Sequence, residues 1–301
     1  MSFRMEVACN CHVGCARANN EDNYLFFGEY FDQSLRSLPD VLYREADPVD
    51  GILACVFDGM GGGDYGEDAS LAAAQRVHEL HVDCTEGQPS EFLETAVLEA
   101  NLAVNRKQEE LGSRRMGSTM SALYFQGDSV YACNLGDSKI FGLREGKMLQ
   151  ISRDHTDEEF MKEQGIIGRK PRLTQFLGVD PTDMQLEPHI VRGTLNSEDL
   201  YLICSDGLTD MVDVEEIREI LMGITDLCEA VGNLTKLACH RGGADNITII
   251  LCRVHRNPAW EENHEQHTEQ HSMAGLGNRA QAGWRKLWVR LRDTAGNIRD
   301  R

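Results

Sequence analysis

The chain is organised around one stretch, Val56-Phe57-Asp58-Gly59-Met60-Gly61-Gly62-Gly63. It continues an apolar run, Gly51 to Phe57, that predicts a buried strand. Four glycines occupy the five positions after Asp58, so the backbone can turn sharply and expose its carbonyl oxygens. A carboxylate beside exposed carbonyls provides the oxygen ligands that hard divalent cations take. A strand-to-helix turn with a capping aspartate explains this stretch equally well on its own.

Two later stretches repeat the combination of an apolar strand with an aspartate and a glycine. The apolar run that starts at Leu200 leads into Ser205-Asp206-Gly207, and Gly242-Gly243-Ala244-Asp245-Asn246 precedes the apolar strand Ile247–Cys252. Carboxylates at the ends of three strands can converge if the strands lie side by side. Turn chemistry explains one such aspartate but not three, so the pattern predicts a site for two metal ions.

Composition limits the classes of function. The chain has 301 residues, of which 41% are hydrophobic, enough for one large domain or two small ones with a real core. Its formal net charge is −19. Binding to nucleic-acid phosphates depends on Lys and Arg, so an acidic excess of this size argues against nucleic acid as the main partner.

The cysteines and the absence of targeting signals predict a cytoplasmic protein with reduced thiols. No apolar signal peptide opens the chain, and no run of about 18 apolar residues is present to span a membrane. Several of the ten cysteines lie inside apolar strand patterns, where a free thiol behaves as a small hydrophobe: Cys55, Cys133, Cys204 and Cys252. An alternative zinc cluster would use four residues near the N-terminus: Cys9, Cys11, His12 and Cys15.

Two polar segments carry basic residues of interest. Arg17 precedes the Glu21-Asp22 pair. A guanidinium can donate two parallel hydrogen bonds to a phosphate, although a surface salt bridge explains the same residues. The basic stretch Arg169-Lys170-Pro171-Arg172 is either a solvated loop or a substrate-facing flap, and we favour the flap.

Hydrophobic periodicity predicts alternating groups of strands and helices. The predicted strands are 4–13, 24–27, 51–57, 120–125, 129–134, 139–143, 148–151, 200–204 and 246–254. The predicted helices are 66–82, one that begins at Pro89, 157–164, one that runs from a capping box at Asp213 to about Met222, and 225–240. Residues 28–50 predict a loop or a hairpin arm.

The composition changes after Val254. We expect a folded domain over residues 1–254, a polar linker over 255–275 and a basic amphipathic tail over 276–301. The tail has seven Lys and Arg against two Asp, and its apolar stripe has helical spacing: Trp284, Leu287, Trp288 and Leu291. We expect it to dock on its own domain or on a partner, with an anionic membrane surface as the third alternative.

Taken together in chain order, eight stretches resemble the metal-dependent protein serine/threonine phosphatases of the protein phosphatase 2C type, in their bacterial branch. They are Gly14-x-x-Arg17-x-x-x-Glu21-Asp22, Phe57-Asp58-Gly59-Met60-Gly61-Gly62, Gly117-Ser118-Thr119, Asn134-Leu135-Gly136-Asp137-Ser138, Asp154-His155-Thr156, Leu177-Gly178, Cys204-Ser205-Asp206-Gly207-Leu208 and Gly243-Ala244-Asp245-Asn246-Ile247-Thr248. Each stretch is weak alone, but the ordered set is highly specific.

The resemblance implies an α+β fold, a four-layer α-β-β-α sandwich of two antiparallel sheets flanked by helix pairs, with residues 1–254 as the catalytic domain. It implies two Mn²⁺ or Mg²⁺ ions per active site and allows a third. The resemblance implies that Asp58 bridges both metal ions, that Asp206 and Asp245 complete the first metal site and that the carbonyl of Gly59 binds the second ion. It implies that Glu21 and Asp22 hold metal-bound waters and that Asp137 joins Asp206 at the third metal site. Arg17 would bind the substrate phosphate.

The implied reaction is the hydrolysis of phosphoserine and phosphothreonine in proteins by a metal-bridging hydroxide, without a phosphoenzyme. The partners would be phosphorylated proteins and an opposing Ser/Thr kinase in signalling, and no nucleic acid. The chain departs from eukaryotic members at Met60, where they place a histidine that is a candidate general acid. One alternative is a weak or inactive regulatory protein on the same scaffold. Another is a two-metal phosphodiesterase acting on nucleic acid, which would need a basic groove.

Overall fold

The computed structural model of the protein describes residues 3–49, 51–60, 65–83, 87–113 and 115–256. In chain order its strands are β1 (Phe3–His12), β2 (Asp22–Phe26), β3 (Glu29–Tyr30), β4 (Leu42–Ala46), β5 (Ile52–Met60), β6 (Gly117–Ser118), β7 (Met120–Gln126), β8 (Ser129–Leu135), β9 (Lys139–Arg144), β10 (Lys147–Gln150), β11 (His189–Thr194), β12 (Leu200–Cys204) and β13 (Ile247–Arg256). Its helices are α1 (Gly66–Asp83), α2 (Pro89–Leu111), α3 (Glu158–Glu163), α4 (Asp206–Thr209), α5 (Val214–Gly223) and α6 (Leu227–His240).

The strands form two antiparallel sheets. One has the order β10-β9-β12-β13-β1-β4, and the other has the order β11-β8-β7-β5-β2-β3 with β6 paired to β5. Strands that are distant in sequence lie side by side at the centre of each sheet, as β1 and β13 do over ten residue pairs. The predicted pair of antiparallel sheets is therefore confirmed.

The central strands are apolar on both faces because each sheet is covered on both sides. In β13, Ile250 and Val254 pack between the two sheets, whereas Ile249 and Leu251 face α4, α5 and α6. In β5, Phe57 faces α1 and α2 on the other side of the molecule. The layers are thus helix, sheet, sheet and helix, which confirms the predicted four-layer sandwich.

The sequence patterns missed elements at the margins of the fold. Strand β11 is partly exposed along its length and lacks an apolar alternation, and residues 28–50 contain the edge strands β3 and β4. Strand β13 ends at Arg256, two residues beyond the predicted domain boundary. Most of the predicted linker and all of the tail lie outside the described residues. No helix in the described ranges is long and apolar enough to cross a membrane.

Polar side chains of α2 fix the loop that follows the basic segment. Asn101 is buried; its Oδ1 accepts from the backbone N–H groups of Gly178 and Val179 at 2.7 and 3.1 Å. Its Nδ2 donates to the carbonyl of Val179 at 3.0 Å. Asn105 donates to that same carbonyl at 2.9 Å. Three backbone groups of an irregular loop are therefore satisfied by one side chain.

The alanine variant Asn101→Ala is expected to lower the free energy of unfolding by about 1–3 kcal/mol, because two buried N–H groups lose their acceptor. Chemical denaturation measures the loss. The matched control is Asn105→Ala, which removes only a second donor to a carbonyl that Asn101 still serves. Equal losses in the two variants would contradict this account of the loop.

Candidate active site

The aspartates at the strand ends meet at one edge of the sandwich. Asp22 and Asp58 are directly paired across β2 and β5 in one sheet. In the other sheet, Asp206 follows β12 and Asp245 precedes β13, its neighbour. These ends enclose a cleft of about 320 Å³ lined by Arg17, Glu21, Asp58, Gly59, Met60, Thr119, Asp137, Lys170, Leu173, Asp206 and Asp245. Seven of the eight predicted site residues therefore line a single cleft.

Asp22, the eighth, lies behind the cleft with 2% of its surface exposed. Its Oδ2 accepts from the hydroxyls of Ser205 and Thr248, both at 2.7 Å. Burial raises the pKa of Asp22 to about 7, against the opposing effect of the two hydroxyls. Since Asp22 belongs to one sheet and its partners to the other, this group joins the sheets directly beneath the cleft.

Asn246 holds the loop that carries Arg17 and Glu21. Its Nδ2 donates to the carbonyls of Val13 and Asn19 at 2.9 and 3.0 Å, and its Oδ1 accepts from the N–H of Glu21 at 2.8 Å. The sequence marks Asn246 only as part of a motif. Its role as a clamp depends on partners more than two hundred residues away and could not be read from the chain.

Gly59 and Thr119 place Asp58. A side-chain Cβ at Gly59 would lie 2.3 Å from the carbonyl oxygens of Glu21 and Gly66, so only glycine fits. The hydroxyl of Thr119 accepts from the N–H of Asp58 at 3.0 Å, and the N–H of Thr119 donates to the carbonyl of Asp58 at 2.9 Å. The backbone of Asp58 is therefore fixed on both sides, and Thr119 is a site residue to which the sequence assigned no role.

The cleft carries five carboxylates against two cationic groups. Arg17 donates to Asp245 at 2.7 Å, and the Lys170 ammonium lies 2.6 Å from a carboxylate oxygen of Asp206. Burial and the neighbouring carboxylates raise the pKa of Asp58 well above its ordinary value. Burial and Asp206 raise the pKa of Asp137 to about 6. The negative charge of the cleft exceeds what its own basic groups neutralise.

This donor set suits a divalent cation, because hard cations take carboxylate and carbonyl oxygens. In the described ranges, no three carboxylate, thiol or imidazole groups lie close enough together to enclose one ion. Asp245 and Asp206 are instead paired with Arg17 and Lys170. A cation that enters the cleft must therefore take these two carboxylates from the basic side chains.

Lys170 is the member of the basic stretch that reaches the cleft. It contacts Asp206 and also Asp210, at 2.8 Å. Arg169 pairs instead with Asp157 at 2.5 Å and does not line the cleft. The stretch therefore faces the cleft through one residue, which fits the flap interpretation better than a solvated loop. No histidine lines the described part of the cleft, where Met60 is present.

The alternative zinc cluster does not form. Cys9 and Cys11 are fully buried in β1 among the residues between the two sheets. Cys15 is exposed and lies against the end of α6. The alternation of side chains along a strand points Cys9 and Cys11 inward, and in the described ranges no three such groups lie close enough together to hold an ion.

Comparison with known proteins agrees with this architecture. A family model described as Protein phosphatase 2C matches residues 40–240. The chain is 32% identical over 256 residues to the serine/threonine protein phosphatase PstP of Mycobacterium tuberculosis, covering 83% of this chain and 45% of PstP. It is 30% identical over 257 residues to the serine/threonine phosphatase stp of Listeria innocua, covering 81% of this chain and 93% of stp. The aligned part thus spans less than half of PstP but nearly all of stp.

Among solved structures, the catalytic domain of PstP in complex with two manganese ions superposes with a TM-score of 0.67 at 28% identity, covering 84% of this chain and all of that domain. The serine/threonine phosphatase of S. agalactiae superposes with a TM-score of 0.64 at 27% identity, covering 83% of this chain and 99% of that one. Because the family model spans most of the described domain and the relatives align over four-fifths of the chain, this chain belongs to the protein phosphatase 2C family.

Proposed function

We propose that this protein hydrolyses phosphoserine and phosphothreonine in other proteins, with divalent cations as cofactors. The observation that carries the proposal is the cleft at the adjoining edges of the two sheets, where five carboxylates face two basic side chains. Such a cleft suits divalent cations and, once these are bound, a phosphate group. Relatives named as serine/threonine phosphatases support the choice of substrate.

Asp58, Asp206 and Asp245, with the carbonyl of Gly59, would hold two Mn²⁺ or Mg²⁺ ions. Glu21 and Asp22 would act through water, and Asp137 with Asp206 offers a third position. The solved PstP domain with two manganese ions supports this number. When bound, such ions supply a water of lowered pKa and neutralise charge on the phosphoryl oxygens.

Arg17 would bind the substrate phosphate. About half of its side-chain surface is exposed, and only one guanidinium nitrogen pairs with Asp245. The remaining N–H groups can donate to phosphoryl oxygens as the charge on these grows. Lys170 brings a second positive charge to the same cleft, where it contacts Asp206.

The residues lining the cleft favour attack by water. Within the described chain, the cleft contains one hydroxyl side chain, Thr119, and no thiol. Thr119 is 1% exposed, and its oxygen is occupied by the N–H of Asp58 and the hydroxyl of Ser138. It is not free to attack phosphorus, and the carboxylates of the cleft are proposed to be engaged by the metal ions, so we expect no phosphoenzyme.

The proposal also includes phosphorylated proteins as substrates, a Ser/Thr kinase that acts in the opposite direction, and action in the cytoplasm. The acidic lining disfavours the nucleic-acid phosphodiesterase, which would need a basic groove. The presence of Asp58, Asp206 and Asp245 in one cleft disfavours an inactive scaffold. Release of phosphate from a phosphothreonine peptide, compared with cleavage of a phosphodiester, distinguishes the two enzymes.

Replacement of a metal-ligand candidate, as in Asp206→Asn or Asp245→Asn, should abolish turnover of a phosphothreonine peptide and weaken Mn²⁺ binding measured by calorimetry. The amide lacks the negative charge that holds the cation. Chelation of the metal ions with EDTA should abolish phosphopeptide turnover by the unaltered protein. The matched control is Asp210→Asn, which contacts Lys170 but does not line the cleft, and it should retain Mn²⁺ binding. Full activity in EDTA would rule out a metal-dependent reaction.

The variant Arg17→Ala should lower kcat/KM for the phosphopeptide roughly ten- to a hundred-fold, because a charge-assisted contact is worth about 1.5–3 kcal/mol. Steady-state kinetics at saturating Mn²⁺ measures the change. The control Arg169→Ala removes a guanidinium that pairs with Asp157 away from the cleft and should leave kcat/KM unchanged. If both variants behave alike, Arg17 is a surface salt bridge only.

The catalytic domain is proposed to end with β13, and the basic tail is proposed to dock on its own domain, a partner or a membrane surface. Truncation after Arg256 should leave phosphopeptide turnover within a few-fold of the full chain. Truncation after Leu251 should prevent folding, because the buried Val254 pairs with Met5 in β1. A folded but inactive protein ending at Arg256 would place the tail in the catalytic domain.

A further inference from the structure

Two thiols meet outside the cleft. Cys15, in the loop after β1, is exposed, and Cys239, in the last turn of α6, is partly buried. The Sγ of Cys15 lies 3.6 Å from the carbonyl oxygen of Cys239, 224 positions away in sequence. The N–H groups of Cys15 and Ala16 both donate to the carbonyl of Gly243, at 2.8 and 3.2 Å. The loop is therefore bound to the end of α6, with one thiol on each side.

A histidine stands beside the pair. The Nδ1 of His12 lies 3.7 Å from the Sγ of Cys239 and accepts from the N–H of Gly14 at 2.9 Å. Burial lowers the pKa of His12, so the ring is neutral at neutral pH and Nδ1 carries a lone pair. Burial and the Cys15 thiol raise the pKa of Cys239 to about 11. Cys239 is therefore a protonated thiol beside a neutral imidazole whose Nδ1 lone pair is already taken by the N–H of Gly14.

The other described cysteines differ in access or in neighbours. Cys228 is partly exposed but lies beside Asp226 and Glu6. The rest are fully buried in strands of the two sheets: Cys9, Cys11, Cys55, Cys133, Cys204 and Cys252. Among the nine cysteines that the structure describes, an oxidant in solution reaches Cys15 first, and Cys239 is the thiol positioned to follow.

We propose that Cys15 and Cys239 form a reversible thiol–disulfide site, oxidised by low-molecular-weight disulfides such as oxidised glutathione. The Cys15 thiolate attacks one sulfur of the glutathione disulfide, whose S–S bond breaks and releases one glutathione thiolate. Cys239 then loses its proton to solvent and attacks the Cys15 sulfur, which expels the second glutathione thiolate. Two protein thiols are oxidised by two electrons, and one glutathione disulfide is reduced to two thiols, which take up the released protons.

The new bond would restrain the loop that carries Arg17. Arg17 follows Cys15 by two positions, and Asn246 holds the far side of the loop at Asn19. A tether to α6 limits the movement by which Arg17 leaves Asp245 for a substrate. Lower phosphopeptide turnover in the oxidised protein is therefore expected, a consequence that rests on the proposed function.

Equilibration of the full chain in glutathione buffers of increasing oxidised fraction tests the site without any assay of activity. After quenching and alkylation, peptide mapping by mass spectrometry should find a Cys15–Cys239 cross-link, lighter by two hydrogen atoms and reversed by dithiothreitol. The cross-link should appear at a lower oxidised fraction than modification of Cys228. Cys228→Ser should retain it, and Cys239→Ser should instead leave Cys15 joined to glutathione.

Two outcomes would overturn the proposal. One is that Cys15 and Cys239 can both still be alkylated at an oxidised fraction of glutathione at which Cys228 has already been modified. The other is a Cys15–glutathione adduct that accumulates in the unaltered chain without closing on Cys239. Because cross-linking is read by mass, its failure is distinct from a failure of the phosphatase proposal.

Discussion

The structure depends on holding several carboxylates close together at the joint between two sheets. Charges of one sign repel, and burial makes each ionised group more costly, which is why the pKa values of Asp22, Asp58 and Asp137 are all raised. Only a rigid scaffold keeps such groups in place. The hydroxyls of Ser205 and Thr248 help by donating to the most deeply buried carboxylate across the sheet–sheet contact.

The acidic and basic groups of the cleft come from different kinds of segment. Asp58, Asp206 and Asp245 lie in a strand or next to the end of one, in elements fixed by the ladders of both sheets. Arg17 and Lys170 lie in connecting segments and reach the same carboxylates from outside. The scaffold thus fixes the acidic groups, whereas the basic groups reach them from loops.

The loops around the cleft are fixed by backbone contacts to the scaffold. Thr156 pairs with Leu173, which closes the segment that carries Lys170 on itself, and the segment is joined to the scaffold by the pairing of Leu177 with Ser118 and by the N–H of His155, which donates to the carbonyl of Gly136 at 2.9 Å. Asn101 on α2 satisfies the backbone just beyond it. On the opposite side, Asn246 fixes the loop of Arg17. Backbone pairings and the side chains of Asn101 on α2 and Asn246 just before β13 therefore position irregular segments on both sides of the cleft, which is how a rigid fold supports a site built partly from loops.

The sequence alone determined the elements whose local signals are strong. The strands that carry or adjoin Asp58, Asp206 and Asp245 were predicted from apolar runs and glycines, and most helices from periodicity and capping, because those signals lie within a few residues. The turn predicted to begin at Asp58 was wrong, since β5 runs on to Met60 and Gly59 pairs with Ser118 of β6. The four-layer arrangement followed from the resemblance, since no local pattern states how two sheets pack. Tertiary structure alone placed Asp22 behind the cleft, selected Lys170 from the three basic residues of its stretch and brought Cys15 to Cys239. It also revealed β11, whose half-exposed residues carry no alternation. Each of these depends on contacts between residues far apart in the chain, and such contacts exist only once the two sheets have packed together.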